Sequence, residues 1–223
     1  DSPVASFLMS KKMDIVPMHF VLYPFYCEET FSLTMSALEN LKRRTDYKQM
    51  ILFPWGDVMN RVFEKLAERD MNSYACLMCR KGMFYAASKM CERIGAVSIT
   101  TGESMGQKAS QTLDNLETTS YGVEYPIIRP LSGMNKNEII EISKENGLYK
   151  AKHSGCCNAT PDQPRTVSDP VDIDKLFKDI GLDQFIETQV EKADVIDLDE
   201  KEVYTVFHEY LQKMIENNEK KKD

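Results

Sequence analysis

Ala96-Val97-Ser98-Ile99-Thr100-Thr101-Gly102-Glu103-Ser104-Met105-Gly106-Gln107 is the stretch on which the reading of this chain turns. Its first six residues suit a buried strand. Two glycines then flank polar residues, which describes a strand-to-helix turn where backbone can approach a ligand closely. A helix is predicted to follow over residues 107–116. Its first turns crowd two hydroxyls and an amide together at Ser110, Gln111 and Thr112. A polar helix start that is only well capped is the plainer alternative.

The same alternation extends outward in both directions. Strands are predicted at residues 15–23, 50–53 (stopped by Pro54) and 126–131. Helical spacing marks residues 2–12, 30–44, 58–68, 77–94 and 135–146, the last two closed by Gly95 and Gly147. Strands separated by helices of this length imply right-handed crossovers, and so an α/β fold with a doubly wound parallel sheet. Residues 153–170 turn to Gly, Pro, Asp and Cys and read as a functional loop. Beyond Val171 the chain reads as helical and acidic, at 173–180, 182–193 and 200–215, before a charged tail expected to fray.

Composition narrows the class. The chain has 223 residues, 42% of them hydrophobic, enough for one good core. A net charge of −7 argues against a broad nucleic-acid footprint on this segment. The short basic clusters Lys42-Arg43-Arg44, Arg80-Lys81 and Lys220-Lys221-Lys222 read as solvated helix ends and a tail. No membrane span is expected, and the N-terminus does not read as a signal peptide. Six cysteines without a secretory signal are better read as thiols or metal ligands than as a disulfide framework, which suits a cytoplasmic protein.

In open parallel sheets ligands sit beyond the carboxyl ends of the strands. Three loops meet that description: Asp1-Ser2-Pro3, residues 101–111 and residues 130–136. Ser2-Pro3 opens a helix, whose free N–H groups and positive dipole end suit a phosphate, although an ordinary cap would look the same. Lys136 at a helix start opposes the dipole and needs another reason to be there.

Three stretches carry a resemblance to a known family. They are residues 102–116 (Gly-Glu-Ser-Met-Gly-Gln-Lys-Ala-Ser-Gln-Thr-Leu-Asp-Asn-Leu), Ile128-Arg129-Pro130-Leu131, and Asn135-Lys136-Asn137-Glu138-Ile139-Ile140. They resemble the tRNA 4-thiouridine synthetases, sulfurtransferases shared between tRNA thiolation and thiamine thiazole synthesis. Asp1-Ser2 matches the end of that family's Ser-Gly-Gly-x-Asp-Ser motif.

The resemblance implies an ATP-pyrophosphatase (PP-loop) domain of the Rossmann-like adenine nucleotide alpha-hydrolase type over residues 1–198. Its first strand and glycine loop would lie upstream, and residues 199–223 would form a C-terminal helix and tail. It implies that O4 of uridine-8 is adenylated and then replaced by sulfur. Asp1 would position the ATP phosphates and Mg2+, and Lys136 would neutralise charge on the α-phosphate. Ser2, Thr101, Gly102, Glu103, Gly106, Gln107, Gln111 and Arg129 would line the nucleotide site. tRNA would dock through upstream THUMP regions, a sulfide or persulfide carrier would supply sulfur, and a homodimer would span one tRNA. Another PP-loop pyrophosphatase (a 2-thiolating enzyme or an amidotransferase synthetase) is the competing enzyme reading. A non-catalytic metal- or nucleotide-binding fragment is the competing reading outside catalysis.

The cysteines address sulfur. Cys76-Leu77-Met78-Cys79 is a C-x-x-C just before the long helix, and Cys156-Cys157 lies in the loop beyond Lys136. Such thiols handle persulfide or hold a soft metal. Cys157 matches the family's sulfur-handling cysteine, with Cys156 beside it. By the same resemblance Cys76, Cys79 and Cys157 would ligate an iron–sulfur cluster. A closed zinc site and uncoordinated thiols are the alternatives. Cys27 and Cys91, like His19 and His208, read as structural, and His153 is a weak site candidate.

Overall fold

The strand β2 (Gln49–Pro54) carries Met50, Ile51, Leu52 and Phe53 fully into the interior. Four consecutive buried apolar residues on a strand must be covered on both faces, and here they are. Met50 and Leu52 face α2 (Glu28–Thr45) and α9 (Val203–Glu219), packing with Met35, Leu41, Val206 and Phe207. Ile51 and Phe53 face α3 (Gly56–Ala67), α4 (Ala75–Ile94) and α8 (Leu182–Val190), with Trp55, Met78, Met90 and Ile186. This computed structural model describes residues 1–26, 28–149, 161–199 and 202–219.

β1 (Met18–Val21) pairs parallel with β2, Met18 opposite Ile51 and Val21 opposite Pro54. Pro54 has no N–H to give, and the ladder closes one residue later where Trp55 N donates to Val21 O at 2.9 Å. β3 (Ile99–Thr100) and β4 (Ile127–Ile128) form a second parallel pair. With helices on both faces, the doubly wound α/β class is what the chain adopts.

Two of the expected elements need correction. The segment after Val171 is not all helical: between α8 and α9, β5 (Asp194–Asp197) pairs antiparallel with β2, Gln49 opposite Asp197. β5 is an edge strand of four residues with alternating exposure, too short to stand out from its helical neighbours. The helix expected over 107–116 is also broken. A 3-10 turn at Ala109–Gln111 precedes α5 (Leu113–Ser120), because Thr112 is extended (ψ 159°) and caps α5 by accepting from Asn115 N.

The remaining elements frame the site. α1 (Ser2–Ser10) and α6 (Lys136–Glu145) pack together through Val4, Ala5, Leu131 and Ile139. α7 (Pro170–Asp179) starts at Asp169, whose side chain accepts from Val171 N and Asp172 N. Lys81, expected in solvent, is instead buried, bonded to Asp174 of α7 at 2.9 Å and to Tyr121 O at 2.8 Å. It pins α4, α5 and α7 together. No helix among the described residues is long and apolar enough to cross a membrane.

Among the described residues no strand pairing joins β1 to β3. A cleft of about 1410 Å³ lies between them, walled by Met18 and Phe20 on one side and by Ile99 and Thr101 on the other. His19 of β1 borders it and packs on Phe207 with ring centroids 5.4 Å apart. Burial lowers the His19 pKa from 6.5 to about 4. Below pH 6.5 the unfolded chain therefore takes up a proton that the folded ring refuses, so stability falls as pH drops from about 6.5 to about 4. The expected loss at pH 5 is up to about 2 kcal/mol, less where the cleft wets the ring. Thermal melts at pH 7 and pH 5 check this: His19→Leu is expected to flatten that part of the profile.

Candidate functional site

Three loop ends meet at the mouth of the cleft. The first is the start of α1, with Asp1 in the cap position and Pro3 in the first turn. Pro there gives up an N–H that the helix does not use, while the other leading N–H groups remain directed outward. The second is the turn after β3. A Cβ on Gly102 would meet the Asp1 carbonyl carbon at 2.6 Å and Ser2 Cα at 2.7 Å, so only glycine lets that turn lie against the α1 entrance. Gly106, at φ +74°, makes the reversal that returns the chain to Gln111, whose carbonyl accepts from Gly106 N at 2.9 Å.

The third is the start of α6. Asn135 and Glu138 form a capping box: Asn135 Oδ1 accepts from Glu138 N at 3.1 Å, and Glu138 Oε2 accepts from Asn135 N at 2.6 Å. This fixes Lys136 at the first helical position, where Nζ lies 2.6 Å from Asp1 Oδ1. Thr101, Gly102, Gln107 and Gln111 border the same cleft as Asp1, Ser2 and Lys136. The turn is fastened to the α6 loop as well: Ser104 Oγ donates to Met134 O at 2.8 Å, and Gln107 Nε2 donates to Ser104 Oγ at 2.9 Å.

Glu103 is placed differently from its neighbours. It is 0% exposed, and both carboxylate oxygens are taken, by Arg80 Nε at 2.9 Å and Arg129 Nε at 2.8 Å. Arg129 also donates to Ser120 Oγ at 2.5 Å, and both guanidiniums lie over the Phe84 ring. Glu103 thus faces inward and sets the turn through two arginines. Arg129 reaches the site only through it.

Arg80 and Lys108 also border the cleft. Sequence reasoning passed over both: Arg80 looked like half of a solvated basic pair, and its partner lies 23 residues away. A charge inside the apolar stripe of α4 was the available signal.

Gln111 is buried, and its Oε1 lacks a hydrogen-bond partner. An orphaned acceptor on a cleft wall matches a ligand N–H.

Cys76 and Cys79 stand half-buried on the first turns of α4, three residues apart and so on one face. Trp55 Nε1 donates to Cys79 Sγ at 3.3 Å. Arg80, next in sequence, is the residue that grips Glu103. Cys156, Cys157, His153 and Cys27 lie outside the described residues. Among the described residues no three His, Cys, Asp or Glu side chains form a metal-holding group.

Known proteins bear on this arrangement. A probable tRNA sulfurtransferase of Saccharolobus solfataricus is 37% identical over 89% of this chain and 52% of its own length. That of Methanocaldococcus jannaschii is 31% identical over 82% of this chain and 48% of its own. The chain spans about half the length of the curated relatives it matches. A crystal structure of a 4-thiouridine synthetase–RNA complex with bound ATP superimposes with a TM-score of 0.74 at 31% identity, covering 88% of this chain and 53% of that one. The family model described as thiamine biosynthesis protein (ThiI) matches residues 1–182, and the chain belongs to that family.

Proposed function

We propose that the cleft is the nucleotide site of an ATP-dependent tRNA sulfurtransferase that converts uridine-8 to 4-thiouridine, with thiamine thiazole as a second outlet for sulfur. One observation carries the reading: Lys136 and Asp1 meet at 2.6 Å at the mouth where the Gly102 turn lies on the α1 entrance. A helix N-terminus, a glycine turn that lets backbone approach closely and a lysine form a cradle for a triphosphate. The orphaned Gln111 Oε1 fits an amino group on the base. The likeness to a 4-thiouridine synthetase with bound ATP supports the same reading.

In this scheme uridine O4 attacks the α-phosphorus, pyrophosphate leaves, and sulfur then displaces AMP at C4. Lys136 and the free N–H groups stabilise the charge that develops at phosphorus. Asp1 would help hold the Mg2+ that accompanies ATP, and the ion would supply positive charge against the phosphates.

Residues 1–198 are the PP-loop domain in this reading, and the space between β1 and β3 suits the strand that the family places before Asp1. tRNA is gripped chiefly by regions beyond this chain, sulfide or a persulfide carrier is the donor, two subunits pair across one tRNA, and the site of action is the cytoplasm. Cys76 and Cys79 supply two soft donors that fit an iron–sulfur cluster, with Cys157 as the third. Such a cluster would bind the incoming sulfur.

The experiment uses the full-length protein, purified without oxygen. The expected result is 4-thiouridine in tRNA that depends on ATP, together with iron bound in preference to zinc. Nucleoside analysis showing no 4-thiouridine would remove the functional reading. Stoichiometric zinc without iron would remove the cluster alone.

A further inference from the structure

Asn115 stands on the first turn of α5 and is 0% exposed. An apolar residue would fill a buried helix face at lower cost, because each polar group of a buried amide needs a partner. Here the partners come from two distant parts of the chain. Nδ2 donates to Ala109 O at 2.7 Å and to Arg165 O at 2.9 Å, and Oδ1 accepts from Ser168 Oγ at 2.6 Å. Ala109 belongs to the cleft turn, whereas Arg165 and Ser168 lie 50 and 53 residues beyond Asn115.

Other bonds run the same way. Thr112 Oγ1 donates to Thr166 O at 2.7 Å, and Ser168 Oγ lies 2.9 Å from Thr118 Oγ1. On its far side the 165–168 stretch is tied to the foot of α4. Arg165 N donates to Ser73 O at 3.2 Å, and its guanidinium sits 5.0 Å from the centre of the Tyr74 ring. Cys76 follows three residues after Ser73.

We propose that Asn115 is a positioning residue that locks residues 165–168 to the cleft turn at Ala109. Residues 165–168, which follow Cys157 in the sequence, are thereby held in register with the nucleotide site. This rests on the proposed function, in which Cys157, eight residues before Arg165, handles sulfur. One amide bonds both segments at once, so displacing either breaks bonds to the other. Asn115 touches neither nucleotide nor tRNA in this role. It couples the place where the carbonyl is activated to the chain that brings sulfur.

The test is made in the full-length enzyme with Ser168→Ala, which removes the donor to Asn115 and leaves the cleft walls intact. Misplacement of reacting groups should lower 4-thiouridine formation about tenfold, with pyrophosphate release changed less than about twofold. Ser168→Thr, which keeps the hydroxyl, should restore it. An unchanged ratio of thiolation to pyrophosphate release in Ser168→Ala overturns the proposal. If wild-type enzyme makes no 4-thiouridine, it is the functional reading that fails, and amide hydrogen exchange then judges the lock. Faster exchange in Ser168→Ala at both 109–111 and 165–168 supports it, and unchanged exchange at 109–111 overturns it.

Discussion

Lys136→Ala in the full-length protein is expected to cut pyrophosphate release on the order of 10²- to 10³-fold, the scale of losing one preorganised charge at a developing anion. The fold should survive. Lys136 and Asp1 are 44% and 27% exposed, and a pair this open to water contributes at most about 1 kcal/mol. A lysine at the first position of α6 also opposes the helix dipole, so its removal costs the helix nothing. Cys157→Ser is expected to stop thiolation while leaving much of the pyrophosphate release in place, because activation precedes sulfur transfer in the proposed reaction. The measurement is pyrophosphate release in the presence of tRNA for both variants. Equal loss in the two would contradict the division of labour, and so would a melting temperature for Lys136→Ala that falls as far as its activity.

The parts of this site that could be read from the sequence are those with local signals. The capping box that fixes Lys136 spans Asn135 to Glu138, and the turn that needs Gly102 and Gly106 follows a recognisable strand. Both were legible because cause and effect lie within a few residues. The break at Thr112 was not, since Ser110, Gln111 and Thr112 suit a helix start as well as a turn, and the extended Thr112 is settled by its bond to Thr166, 54 residues on. Arg80, Lys81 and Asn115 were missed for the same reason. Each is a polar residue on a buried face whose partner is remote: Glu103, Asp174 and Arg165. β5 was missed because Asp194-Val195-Ile196-Asp197 carries no periodicity long enough to mark a strand, and only β2 tells it what to pair with.

Glu103→Ala is expected to be the most destabilising change at the site, and to act on stability before chemistry. The wild-type carboxylate is fully buried between two arginines, each bonded through Nε, and the turn it holds bears Gly102 on one side and Ser104 on the other. Removing it leaves two guanidiniums facing each other over Phe84 with no anion between them. Breaking a buried ion network in this way costs about 3–5 kcal/mol. Here the lower end applies, because Arg80 and Arg129 are 30% and 19% exposed and can turn partly to water. About 3 kcal/mol in a domain of this size corresponds to a fall of about 6–12 °C in Tm. Replacing the three residues together, as Arg80→Met, Glu103→Leu and Arg129→Met, should recover much of that stability, since well-packed apolar groups often match a buried ion triad. It should not recover ATP binding, because Arg80 borders the cleft. Calorimetry of the single and triple variants, with ATP titrated into each, separates the two effects. A Glu103→Ala protein that melts within about 2 °C of wild type would show that the triad does not hold the turn.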